Sequence, residues 1–226
     1  MTSVAELELS PRAEQTRAAI VAAALRLFRE NGYEATTMRA IAREADVSTG
    51  NAYYYFSSKE ELVQQFYASN QADHLAACRE VLDRETDFAA RLHGALRALI
   101  DISAPYHEFA ARFFKHAAEP SSPLSPFSKE SSPARDASIA MYGELIDGSA
   151  MKIDQELRAQ LPELLWLYSL GVILYWVHDT SAGCARTYRL IDRTVPLAAR
   201  LVALYRIRML RGTMRELLSV IEDIRS

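Results

Sequence analysis

The sequence predicts an all-helical protein of two parts, and three observations carry that reading. Glycine and proline are scarce, at 8 each in 226 residues, so points that break a regular chain are few. Between those points, apolar residues recur three and four apart over long segments. Most of these segments open on a polar cap or a Pro at the first helical position. The arrangement expected is a three-helix head over residues 10–57 and a larger helical bundle over residues 58–226. One long helix, residues 58–81, links them.

Each helix has its own signal. Residues 1–9 carry no pattern and are read as disordered. Ser10-Pro11 opens the first helix, Ile20, Ala23, Ala24, Leu27 and Phe28 form its buried stripe, and Gly32 stops it. Thr36 is expected to cap a second helix with Met38, Ile41, Ala42 and Ala45 on one face. Asp46, Val47 and Ser48 break it, and Ser48 caps a short third helix ending near Tyr54 or Tyr55. Ser58 and Glu61 form an S-x-x-E box that opens the fourth helix. Asp87 caps a fifth with Phe88, Leu92, Ala95, Leu96 and Leu99 aligned. Ala104-Pro105 starts a sixth bearing Tyr106, Phe109, Ala110 and Phe113.

Residues 119–136, EPSSPLSPFSKESSPARD, form the one Pro/Ser-rich stretch and read as a long surface loop. Ser132-Pro133 restarts the chain as a seventh helix with Ile139, Tyr142, Leu145 and Ile146 inward. Leu161-Pro162 begins an eighth, apolar nearly all round, that ends near Asp179. Tyr188, Ile191, Val195, Ala198, Val202, Tyr205 and Met209 then alternate three and four apart, a heptad-like seam that wants a partner helix. Pro196 inside it should kink that helix or mark its start.

Composition excludes several classes. The longest apolar run, Leu164 to Val177, is too short to cross a bilayer. The first residues, MTSVAELELSPR, have acids where a secretory signal needs bases. Two cysteines, Cys78 and Cys184, make no disulfide framework, so the chain is expected to be cytoplasmic with free thiols. His74 and Cys78 share a helix face, but no second pair stands at ligand spacing, so no metal or other cofactor is expected. No catalytic triad, carboxylate pair or Gly-rich phosphate loop is present, so an enzyme is not expected. The formal net charge is -3, and residues 10–59 hold seven Lys/Arg against five Asp/Glu. Charge therefore decides nothing about nucleic acid.

The local pattern does decide. A short helix presented after a three-residue break is a helix-turn-helix, whose second helix enters the DNA major groove. Gly50 lets the backbone approach DNA closely. Ser48 and Thr49 are short hydroxyl donors, and Asn51 can meet a base edge or a phosphate. Tyr53, Tyr54 and Tyr55 point three ways at ~100° per residue, so at least one hydroxyl faces outward. Val47, Ala52, Phe56, Ile41 and Leu62 are assigned to the small core.

The block V-S-x-G-x-x-Y-Y-x-F-x-S-K-E-E-L, Val47 to Leu62, resembles the DNA-binding domain of the tetracycline-repressor (TetR) family. The close resemblance covers about residues 12–66. It departs in one respect: Thr49 stands where members often carry Lys or Arg. The resemblance implies a second domain for ligand binding and dimerisation. It implies that Tyr53 and Tyr54, with Tyr55 beside them, meet the DNA backbone or a thymine methyl. Lys59 would reach a phosphate, and Thr37 and Arg39 would contact flanking phosphates. The implied function is a dimeric regulator, a repressor released from a near-palindromic operator by a small, largely apolar ligand.

Tyr106, His107, Phe109, Phe113, Trp166, Tyr168 and Trp176 are the candidate ligand residues. Leu170, Leu174, Tyr188, Ile191, Val195, Ala198, Val202 and Tyr205 are the candidate dimer interface. The expected partners are a double-stranded DNA operator, a small-molecule effector and a second copy of the chain, with no membrane. Two alternatives remain: a DNA-organising protein of the same fold, and a helical ligand carrier or enzyme with a three-helix head. The nine arginines between Arg186 and Arg225 read as the solvated side of an amphipathic helix.

Overall fold

The structure, a computed structural model, describes residues 10–205 of the chain. Residues 1–9, Met209 of the seam and the arginine-rich stretch beyond Tyr205 lie outside the described residues. The described chain is helical throughout: α1 (Pro11–Asn31), α2 (Met38–Glu44), α3 (Thr49–Tyr55), α4 (Lys59–Arg84), α5 (Phe88–Ser103), α6 (His107–Ala118), α7 (Ser132–Asp147), α8 (Gln155–Val177) and α9 (Ala185–Leu204). None of these helices is long and apolar enough to cross a membrane. The all-helical fold with an N-terminal helix-turn-helix is as the sequence predicts.

Most helix ends follow their local signals. Ser10 caps α1 by accepting from Ala13 N–H, and Gly32 ends it at φ 84°. Ser48 caps α3 and Asp87 caps α5. Four expectations shift. Thr37, not Thr36, caps α2; Thr36 is buried and donates its hydroxyl to Leu27 and Gly32 carbonyls at 3.2 and 2.8 Å. Glu61 N–H donates to Ser58 Oγ, but the Glu61 carboxylate reaches back to Ser57, so the reciprocal half of the box is displaced by one residue. Helix α8 begins earlier than Leu161, because Asp154 accepts from Glu156 N–H and caps it there. Pro162 therefore lies inside α8, as Pro196 lies inside α9. Each removes one ladder hydrogen bond without ending its helix.

The chain packs as two compact units. The first takes the chain through Ser69 together with Tyr106–Ser132. Its core joins Ile20, Ala23, Ala24 and Phe28 of α1 to Ile41 and Ala42 of α2, Ala52 of α3 and Leu62 and Val63 of α4. The alanines keep side-chain bulk low where helices meet. Phe109 and Phe113 of α6 and Leu124 of the following loop complete it. The rings of Phe28, Phe109, Phe113 and Tyr33 close on one another in a cluster, with successive centroids 5.0 to 6.0 Å apart. This unit thus extends beyond residues 10–57 and recruits a segment from later in the chain. The Pro/Ser stretch is shorter than expected, because α7 starts at Ser132. It winds through repeated turns closed by Ser122, Ser125 and Ser128.

The second unit comprises Asn70–Pro105 and the chain from Pro133. Helix α5 packs on α9 and α8, and α8 packs on α9. Two polar residues pin its corners. Arg91 is buried and donates to the carbonyls of Leu82 and Glu85 at the end of α4 and of Glu144 and Leu145 at the end of α7. One guanidinium fork thereby satisfies carbonyls that both helix ends leave open. Asp179, also buried, accepts from the backbone and hydroxyl of Ser181 and of Thr187, which fixes the turn from α8 to α9.

Candidate nucleic-acid interface

Helix α3 divides its residues cleanly. Ala52 and Phe56 are fully buried and anchor it on α1 and α2. The other side carries Thr49, Gly50, Asn51, Tyr53 and Tyr54, all exposed. Tyr54 is 77% and Tyr53 52% exposed, among the most exposed large apolar side chains described. Burying so much ring surface is favourable, yet the chain leaves it open. Tyr55 is half-buried and meets the Tyr54 ring edge-on at 5.2 Å.

The connection from α2 to α3 sets the aim of this face. Asp46 takes φ 54°, a left-handed conformation that Asp tolerates better than most residues. Val47 N–H then donates to Ala42 O at 2.9 Å. Ser48 Oγ accepts from Asn51 N–H at 3.0 Å, and Thr37 Oγ1 from Ala40 N–H at 3.2 Å. Both hydroxyl protons remain to be donated outward. Arg39 is exposed on α2.

Gly50 is informative because no packing among the described residues requires it. A Cβ built there would meet only Ser48 Oγ, at 4.0 Å. A glycine inside a helix costs roughly 0.5–1 kcal/mol relative to alanine. The fold gains no packing from that cost.

Lys59 is placed differently from the other candidates. Its ammonium donates to Tyr33 O at 2.8 Å and lies 4.4 Å from the Tyr33 ring centroid. Two of its three protons stay available. Tyr33 in turn donates to Glu60 Oε1 at 2.5 Å. Burial would raise the Glu60 carboxyl, but this hydrogen bond, its backbone N–H and Ser58 hold it below the ordinary carboxylate value. The Tyr33 anchor was not foreseen, since Tyr33 lies outside any motif.

The predicted ligand residues divide between the two units. Phe109 and Phe113 fill the core of the first unit, and Tyr106 packs edge-on against Phe66 at 4.7 Å. The rings of Phe109 and Phe113 are packing residues there, because their surface is already covered, whereas Tyr106 is half-buried; His107 starts the same helix. In the second unit Trp166 and Trp176 are buried and Tyr168 shares a hydrogen bond with Thr194. An open cleft of about 400 Å³ is lined instead by Val81, Arg84, Glu85, His93, Gly94 and Pro196, among others. No cluster of three metal-ligating side chains stands among the described residues.

The dimer seam is also corrected. Ile191, Val195, Val202 and Tyr205 are buried within their own chain, so that side of α9 packs on α5 and α8. Tyr188 is occupied too, donating to Asp101 at 2.5 Å. Ala198 and Leu170 are half-buried and Leu174 is exposed. The apolar residues left outward are Leu174 and Tyr175 on α8 and Leu197, Leu201 and Leu204 on α9.

Residues 20–66 match the family model "Bacterial regulatory proteins, tetR family", and residues 91–217 match "Tetracyclin repressor-like, C-terminal domain". The chain belongs to the TetR family of helix-turn-helix transcriptional regulators. The HTH-type transcriptional regulator UidR of Escherichia coli (strain K12) is 36% identical over 75 residues, 33% of this chain and 38% of that protein. The chain thus spans well under half the length of that relative. A TetR transcriptional regulator from Nitrosomonas europaea superposes with a TM-score of 0.63 at 18% identity, covering 81% of this chain and 97% of that one. FadR of Thermus thermophilus, a TetR-family repressor in complex with lauroyl-CoA, gives 0.56 at 23% identity, covering 79% and 92%. At such identities the likeness establishes the fold.

Proposed function

We propose that the protein is a dimeric repressor whose two α3 helices read a near-palindromic operator, and that a small, largely apolar ligand releases it. The observation that carries this is the outer face of α3. It combines a glycine the fold does not use with two tyrosines the fold does not bury. Thr37, Arg39, Ser48, Thr49, Asn51 and Tyr55 flank that face, and Lys59 retains donors for a phosphate.

Dimerisation is supported by the outward leucines of α8 and α9. Gly171 lies one turn before Leu174 and Tyr175, and a Cβ there would meet nothing within 4 Å, so another helix can come close. Two heads held by one such interface would read the operator by standing about 34 Å apart, the spacing of successive major grooves. Helix α4 is a single helix carrying Lys59 at its start and His74 in its later half. A ligand that favours one placement of α4 by a few kcal/mol would alter the spacing of the heads and empty the operator. That a related fold is described as a repressor with an acyl-CoA ligand supports this reading.

The test is fluorescence anisotropy against duplexes from the region upstream of the protein's own gene, with random competitor. Saturable binding to one short site, weakening steeply as salt rises, is expected. Equal binding to every duplex would favour the DNA-organising alternative and overturn the regulator.

A further inference from the structure

The connection from α1 to α2 gathers the start of α4 around one ring. Tyr33 lies in that connection, half-buried. Its neighbour Gly32 is pinned by the Thr36 hydroxyl, which donates to Gly32 O at 2.8 Å. The Tyr33 ring is closed in by Phe28 of α1 at 5.1 Å and by Phe113 and His116 of α6 at 5.3 and 5.0 Å, centroid to centroid. Packing accounts for the ring and nothing more, since phenylalanine would fill the same space. Tyr33 makes two further contacts that packing does not call for. Lys59, the first residue of α4, donates from Nζ to Tyr33 O at 2.8 Å and lies 4.4 Å from the ring centroid. The Tyr33 hydroxyl donates to Glu60 Oε1 at 2.5 Å.

Both contacts act on Lys59. A lysine carries its ammonium on a flexible four-carbon stem, and freezing such a stem at an interface opposes binding. Here the stem is already held, by a carbonyl on the ammonium and by a ring beneath it. The carbonyl uses one of the three ammonium protons, so two remain for an anionic oxygen. Glu60 is the neighbour that would spoil this arrangement. A carboxylate next in sequence attracts the same ammonium and repels a phosphate. Its oxygen is turned instead to the Tyr33 hydroxyl. Burial first, and the Glu60 carboxylate after it, push that hydroxyl above its ordinary pKa, so the proton that holds the carboxylate stays on Tyr33.

We propose that Tyr33 is a positioning residue for DNA binding: its carbonyl and ring hold the Lys59 ammonium ready for a backbone phosphate, and its hydroxyl holds the Glu60 carboxylate away from that ammonium. Tyr33 acts through Lys59 and not on the DNA itself. This role rests on the reading that Lys59 meets a phosphate, and it supplies the residue that prepares the contact. Helix α6 belongs to the same support, because Phe113 and His116 keep the Tyr33 ring in place.

The experiment uses the full-length protein and the upstream duplex that the parent selects, with single phosphates ethylated in turn. Lys59→Met should lose its sensitivity to one phosphate in each half-site. Tyr33→Leu removes the ring and the hydroxyl. It should lose the same phosphate, keep the others as in the parent, and weaken binding about three- to tenfold per head. Added to Lys59→Met, it should cost nothing more. Tyr33→Phe keeps the ring but releases the carboxylate, so it should fall between Tyr33→Leu and the parent, and Glu60→Gln should restore it. A Tyr33→Leu protein that weakens every phosphate contact alike, adds its loss to that of Lys59→Met, or binds as the parent does would overturn the proposal. The free parent gives a reading that needs no variant. The Lys59 side-chain protons should be shifted upfield by the Tyr33 ring, and unshifted protons overturn the proposal even where Tyr33→Leu does not fold. If the parent binds one site but Lys59→Met loses no phosphate, this role fails and the regulator stands. A parent that prefers no duplex sinks the regulator and this role with it.

Discussion

Gly50 and Asp46 contrast at the scale of single residues: the fold makes no use of the first and depends on the backbone of the second. Gly50 sits in an exposed turn of α3 where a methyl group would touch nothing closer than 4.0 Å. Gly50→Ala is therefore expected to stabilise the protein by about 0.5–1 kcal/mol and to weaken operator binding at least tenfold. A thermal melt beside an anisotropy titration checks both, and unchanged DNA affinity would remove Gly50 from the interface. Asp46 is the opposite case. Its positive φ turns the chain from α2 into α3, and a β-branched residue there is strained by about 1–2 kcal/mol. Asp46→Val should lower Tm and weaken DNA binding together, since the Ala42–Val47 hydrogen bond depends on that turn. Asp46→Asn should do neither.

At the scale of elements, the α8–α9 corner carries a pH dependence of known sign. Burial would raise the Asp179 carboxyl, but hydrogen bonds from Ser181 and Thr187 outweigh it and depress the value well below the ordinary range. A carboxyl depressed on folding stabilises above its unfolded value, near 3.9. That contribution fades as pH falls further, toward the folded value. Stability attributable to this corner is thus constant from neutral pH down to about pH 5 and is lost in stronger acid. Asp179→Ala, which strands four donors, should cost about 2–4 kcal/mol at neutral pH. Denaturant melts of the variant and the parent should converge as the pH approaches 2. A gap that stays constant with pH would show the carboxylate charge to be irrelevant. Cap signals are readable for α1, α3 and α5, because a capping side chain and the backbone N–H it accepts from lie within three residues. Pro162 does not mark the start of α8, because a proline can sit inside a helix whose other bonds and burial hold it.

At the scale of the whole molecule, α9 has a buried side and an open apolar side. Val202 is 8% exposed and Leu201 54%, although they are neighbours in sequence. Val202→Asp buries a charge without a partner and should unfold the second unit. Leu201→Asp should leave the helix content intact and yield monomers in sedimentation, with loss of tight operator binding. A Leu201→Asp dimer would move the interface elsewhere. The heptad pattern fixed the spacing of the seam but not its partner. An internal helix and a second subunit demand the same apolar repeat, and only packing against α5 and α8 distinguishes them.

What the amino-acid order determined by itself was the helix-turn-helix head and the exposed face of α3. The caps, the three-residue break and the spacing of Gly50, Tyr53 and Tyr54 are local, and local signals survive without tertiary context. What only tertiary structure decided was non-local. Residues 106–132 joined the first unit through Phe109, Phe113 and Leu124, Lys59 found Tyr33, and the seam turned inward.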